Sequence, residues 1–361
     1  TGGGAVRLSA GNSYTGITTI NDGSLTITDQ SALGNDSSAV IVTRINPAIT
    51  STATRGFGGG SLVLDGMGGN INFSRDLILL GQGPISDRGA AVVSTGVNTL
   101  SGTVEMGGLT NGAFVSTRVI AADGTLNLTG TLNVQGAAAT TISNLGGVNQ
   151  AGASFYNVTG VLTGTGTLEG SGGGTLFLNP SDSSGFSGTI RVSGSAASGQ
   201  SVVRIDSPGV LGTRTSTGTG SVLDLNGGIL AVLMDVPDVK VSNGTNANVY
   251  GRASSTIFAD HTPNSSVKDQ TVAFGQLAFE DNITVTFNSR NGYGMSFGVA
   301  PVVGTTAGDN NSTFTNNLQG GGMLTFVGNF WSNANNTGAR TMTIGGAGNT
   351  TINGGIIASS A

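Results

Sequence analysis

The stretch GNSYTGITTINDGSLTITDQSALG, residues 11–34, decides how this chain folds. Glycine bounds it, threonine fills it, and it carries almost no charge. Within it, GSLTIT (23–28) alternates apolar and hydroxyl side chains, which buries one face of a strand and wets the other. The preceding Asn-Asp-Gly supplies a tight corner, where small residues avoid collision and φ is often positive.

The same grammar recurs along the 361 residues in GSLVLDG (60–66), GTLNLTGTLNVQG (124–136), GTLEG (166–170), GTLFLN (174–179), GSVLDLNGG (220–228), GMLTFVG (322–328) and RTMTIGGAGNTTINGG (340–355). Short strands separated by glycine corners admit a β-sandwich or a parallel β-helix. A long-range echo decides between them. GFSGTIRVSGSAASGQSVVRIDSPGVLG (185–212) repeats the opening phrase, with Phe186-Ser187-Gly188 answering Tyr14-Thr15-Gly16 and Leu211-Gly212 answering Leu33-Gly34. A unit that repeats because it cannot cover its own apolar face must stack on its neighbours. The expectation is an all-β, right-handed parallel β-solenoid over 1–361 as a single domain, with rungs of roughly 20–25 residues. Residues 229–305 break the rhythm and hold both lysines and the only histidine. They read as an inserted flap or as elaborated rungs.

Composition excludes several function classes. Net charge is −5, and lysine occurs only at Lys240 and Lys268, so no basic stripe exists for nucleic acid or for a membrane surface. Apolar runs such as GGILAVLM (227–234) fall short of the roughly 18 residues that a spanning helix needs. Cysteine is absent, which removes disulfides and thiolate chemistry.

Candidate chemistry is sparse. A carbohydrate-active site needs carboxylates on one face, and the close acidic pairs are Asp235 with Asp238 and Glu280 with Asp281. Neighbouring strand residues point to opposite faces, so both pairs read as solvated charge. His261 beside Asp260 has no strained Gly-x-Ser-x-Gly elbow and reads as a loop histidine. The glycine runs at 170–175 and 319–323 lack a following Gly-Lys-Ser/Thr and read as corners. No cofactor or metal is expected. The Asn-rich stretches 309–319 and 329–338 read as internal amide ladders or as a glycan-facing surface, with Trp331 a candidate sugar platform.

The phrase at 12–34 resembles the autotransporter-associated β-strand repeat, also called the passenger-associated transport repeat: Asn-x-Tyr-Thr-Gly, a Gly-x-Leu strand and an Ala-Leu-Gly finish. GVNTLSGTVEMGG (96–108), LTGTGTLEGSGGGTLFL (162–178) and GNTTINGGI (348–356) are similar to the sequence around such repeats. The resemblance implies a secreted parallel β-helix stalk on large bacterial surface proteins, adhesin-like or structural, with enzymatic activity absent or housed elsewhere. It also implies that a strand like TTINGGIIASSA runs into one like GGGAVRLSAG, so the last strand is the natural predecessor of the first. Neither end carries a cluster of charge to block strand addition. Val6, Leu8, Ile352 and Ile356 are therefore the candidate head-to-tail interface, and the expected partner is a second copy of the chain. The expected function is a non-enzymatic extracellular element, subunit or segment of a filament or stalk. The alternatives are an adhesin that contacts glycans through 229–305 or Trp331 and, behind it, a polysaccharide lyase or hydrolase.

Overall fold

The structure, a computed structural model, describes residues 4–34, 37–43, 59–81, 83–84, 91–107, 109–110, 113–114, 117–136, 139–144, 154–195, 199–207, 209–212, 223–235, 239–240, 247–280, 282–303, 311–328, 330–332 and 341–357. Among them no helix occurs, and so none is long and apolar enough to cross a membrane. The chain forms two compact units, Thr1–Gly188 with Ala197–Gly199, and Thr189–Ala196 with Gln200–Ala361. Each is a stack of β-coils.

In the first unit every full coil visits three parallel sheets. The first sheet runs from Ala5–Leu8 through Gly23–Ile27 to the opening halves of Gly60–Phe73, Val92–Leu100 and Arg118–Leu128. The closing halves of those three long strands bend into the second sheet and continue in Phe155–Val158 and Thr175–Leu178. The third sheet stacks Thr18–Ile20, Val40–Val42, Leu77–Leu79, Val104–Met106, Thr131–Val134 and Val161–Gly164. Strand alternation sends Leu62, Leu64, Leu126, Leu128, Tyr156 and Leu176 inward, all fully buried or nearly so. A parallel β-solenoid is therefore present, as the alternating pattern predicts.

The second unit repeats the plan. One sheet stacks Val202–Ile205, Ile229–Leu233, Ser255–Asp260, Thr284–Ser289, Ser312–Asn317 and Met342–Gly345. Another takes Val239–Lys240, the openings of Thr271–Phe279 and Gly294–Val303, then Met323–Phe326 and Asn349–Ile352. The remaining sheet includes Leu223–Asn226, Val249–Ala253 and the ends of those two long strands, followed by Phe330–Ser332 and Ile356–Ile357. The core is aromatic: Phe274 stacks on Phe297 at 5.2 Å and Phe297 on Phe326 at 5.6 Å, one ring per coil. The described parts of residues 229–305 supply strands to all three of these sheets, and among them 261–270 form a strandless corner.

Coil length varies: register partners lie 19 residues apart from Ala5 to Ser24, 20 from Phe155 to Thr175 and 22 from Thr18 to Val40, close to the expected 20–25, but 37 apart from Gly23 to Gly60. Side-chain bonds between stacked coils join Asn98 to Asn127 and Asn127 to Asn157, 29 and 30 residues apart. Three strands and three corners use more chain than the two-strand phrase visible in the sequence.

The echoed phrases do fold alike at their ends. Leu33 and Leu211 are buried, Gly34 and Gly212 have φ of 80° and 73°, and each glycine N–H donates to the carbonyl three residues back. Buried Arg75 bonds the carbonyl oxygens of Leu33 and Ser38, which fixes the first of these turns.

Candidate functional site

Among the described residues, nothing covers the apolar side of the first coil of the first unit. Val6 stands over Leu25 and Leu8 over Ile27 in the parallel ladder, and among the described residues no strand pairs with the other edge of Ala5–Leu8. Val6 is 56% exposed and Ile17 66%, whereas Ile27, one coil in, is fully buried. Leu8 is half-buried. Arg7, pointing the other way, bonds Asp65 at 3.0 Å, and the Tyr14 hydroxyl lies 2.8 Å from that of Thr18.

The last coil of the second unit has the same character. Met342–Gly345 pairs with Ser312–Asn317, Asn349–Ile352 with Met323–Phe326, and Ile356–Ile357 with Phe330–Ser332. No described strand follows any of the three. Ile344, over Phe314, is 37% exposed, and Ile352, over Phe326, is half-buried. The backbones of Ile356 and Trp331 lie in these strands, but their side chains are outside the described residues. The four interface candidates thus divide between two open ladder ends.

A residue that the sequence reading missed secures this last coil. Asn316 is fully buried; its amide donates to the Asn349 carbonyl and to the Thr350 hydroxyl, both at 2.9 Å, and accepts from Leu318 N–H at 3.0 Å. It is a single clamp rather than a member of an internal ladder. Asn-rich composition drew attention to 309–319, but only the strand register shows that position 316 points inward.

The titratable clusters are held by their own loops. Asp235 accepts the Thr262 N–H at 2.9 Å and also the Thr262 hydroxyl, and that hydroxyl bond holds its carboxyl below the ordinary range. Asp260 accepts from His261 N–H and from the Asn291 amide. The His261 Nδ1 lies 2.7 Å from the Thr262 carbonyl and its Nε2 3.9 Å from Asp260. Tyr293, buried beneath them, donates to the Met234 carbonyl at 2.6 Å; burial, with Asp235 and Asp260 nearby, pushes its phenol up to about 12. Among the described residues no serine hydroxyl bonds His261, so no nucleophile completes a triad there. Asp238 and Asp281 fall outside the described residues.

Asp224, nearly fully buried, sits between Arg191 at 2.9 Å and Arg252 at 2.8 Å, from the coils on either side; Arg252 reaches Glu280 at 3.4 Å. This ladder ties coils together. No group of three or more His, Cys, Asp or Glu among the described residues is arranged to hold a metal. An open groove of about 420 Å³ on the first unit is lined by Arg7, Thr26, Val63, Asp65, Met67 and Asp123 among others. Its one salt bridge joins two of its own walls, Arg7 and Asp65. No family model, no curated protein and no solved structure matches the chain.

Proposed function

We propose that this chain is a non-enzymatic structural element of the bacterial cell surface, a subunit or segment of a filament or stalk that is continued coil upon coil at its open ends. The observation that carries this reading is the exposure of core columns at two ladder edges, Val6 with Leu8 and Ile344 with Ile352. An unpaired parallel edge is a template for strand addition, and covering the exposed side chains contributes about 25 cal/mol per Å² of apolar surface removed from water. Further coils of the same chain or the opposite end of a second copy satisfy both needs. Extracellular placement rests on the resemblance of the phrase at 12–34. The carboxylates Asp235, Asp260 and Asp224 are each engaged by donors of the scaffold itself, which supports a structural rather than a chemical role.

Sedimentation of the full chain over a wide concentration range, with electron imaging of the same samples, tests the subunit form. Concentration-dependent end-to-end association that Val6→Asp abolishes is the expected result. A chain that stays monomeric at high concentration overturns head-to-tail assembly.

A further inference from the structure

The second unit carries a lattice of uncharged polar side chains on the outer face of one sheet. Ser255–Asp260, Thr284–Ser289, Ser312–Asn317 and Met342–Gly345 stack in parallel without a register shift. Ile257, Val285, Phe287 and Phe314 point inward and are fully buried, so the residues between them point outward. Across the strands these form three columns: Thr284, Thr313, Thr343; Thr256, Thr286, Thr315; and Phe258, Asn288, Asn317. Along the corner beside them, the Asn282 amide oxygen accepts from Asn311 N–H at 3.1 Å, and that of Asn311 from Thr341 N–H at 3.2 Å. Members of a column stand about 4.8 Å apart, and adjacent columns about 6.7 Å apart. None of the column residues is charged, and Arg290 lies at one edge, 5.8 Å from the Phe258 ring centre.

We propose that this face binds an extended neutral polysaccharide, a flat ribbon of β-1,4-linked sugars laid along the columns. The uncharged columns match a neutral polymer; the cation beside them, Arg290, lies at the edge over Phe258, which is why the acidic control and the two salt levels enter the test. Threonine methyls and the Phe258 ring meet the C–H faces of the sugar rings, while the hydroxyls and the Asn288 and Asn317 amides both donate to and accept from sugar hydroxyls. A repeated lattice suits a repeated ligand, because weak contacts on one chain reinforce each other. Ice is the other regular hydroxyl lattice, but the bulkier amide column interrupts the even surface that a crystal plane requires. The inference is independent of end-to-end assembly, since it uses a side face.

The test is depletion of the full chain from solution by microcrystalline cellulose and by chitin, with alginate as the acidic control, at low and at high salt. Saturable, salt-insensitive binding to cellulose or chitin is expected, weakened at least tenfold by the double variant Thr286→Glu, Thr315→Glu and kept by Thr286→Ser, Thr315→Ser. The pair Asn288→Ala, Asn317→Ala, checked for folding by its circular dichroism melt, gives the same loss should the glutamates unfold the coil. Val6→Asp leaves binding unchanged, which separates this result from assembly. Absence of saturable binding to either polymer, or equal binding by wild type and both lattice variants, overturns the proposal. Ice shaping that the same variants abolish also overturns it and assigns the face to ice.

Discussion

Asn98 shows how one side chain keeps a coil closed. It is fully buried where the partner strand loops out between Gly66 and Ile71, and it replaces the missing ladder by accepting from Ile71 N–H and donating to Leu64 and Thr95 carbonyls and the Ser94 hydroxyl. Asn98→Ala leaves these groups buried without partners and is expected to cost about 1–3 kcal/mol, against less than about 0.5 kcal/mol for Asn127→Ala on the outer face; urea denaturation measures both. Asp235 offers a residue-scale pH test. Its folded pKa lies below the unfolded carboxylate value of about 3.9, so its contribution to stability is full above that value and is lost as pH falls through the folded pKa. In Thr262→Val the carboxyl is expected to titrate higher than in the wild type, because the contact that lowers it most is removed while the burial that raises it remains; carbon-detected NMR titration reads the shift. None of these roles is marked in the sequence, where Asn98 looks like any other polar residue of a strand and Thr262 like any other residue of a corner.

At the scale of the element, alternation was legible and bends were not. GSLVLDG announces Leu62 and Leu64 as core, and both are fully buried. The glycines that follow suggest a stop, yet the strand continues to Phe73 around a corner that loops out 67–70. Strands that turn corners without breaking are also why the coils through Gly60–Phe73 and Val92–Leu100 take 27 to 30 residues, more than the 20–25 expected. The repeated phrase was legible as a period, but its two aromatics have different fates: Phe186 is fully buried and Tyr14 is 39% exposed. The phrases are similar but their surroundings differ: among the described residues no strand pairs outside Ala5–Leu8, in the same coil as Tyr14. Phe186→Ala is therefore expected to cost about 3–5 kcal/mol and Tyr14→Ala well under half of that, as measured by chemical denaturation of each variant.

For the molecule as a whole, stability in a stack is close to a sum of coil terms and neighbour terms. Coils with neighbours on both sides hold the most, and those with one neighbour the least. Amide exchange is expected to be slowest at Leu100 and Leu126 in the first unit and at Phe287 and Phe297 in the second, and fastest in Ala5–Leu8 and Met342–Gly345. Mass spectrometry of timed deuteration checks the order. If ends join, those two strands gain protection and the interior positions do not. The all-β character was readable from composition and alternation, and the solenoid from the echo of 11–34 at 185–212; the lattice of Thr256, Thr286 and Thr315 was not, because it exists only once residues 30 and 29 apart are brought into register.

Coil length also sets a mechanical unit. Tension applied along the stacking direction loads the ladder bonds one after another, so that a coil peels away before the next is strained. In the second unit, the residues joined from Asn282 to Asn311 and from Asn311 to Thr341 lie 29 and 30 apart. Each rupture should therefore free roughly 100 Å of extended chain. A force-extension trace of a tethered chain should show teeth of about that length from the second unit and uneven ones from the first, where partners lie 19 to 37 residues apart, rather than one cooperative break, and a material made of such coils would yield in small steps and absorb work as it does so.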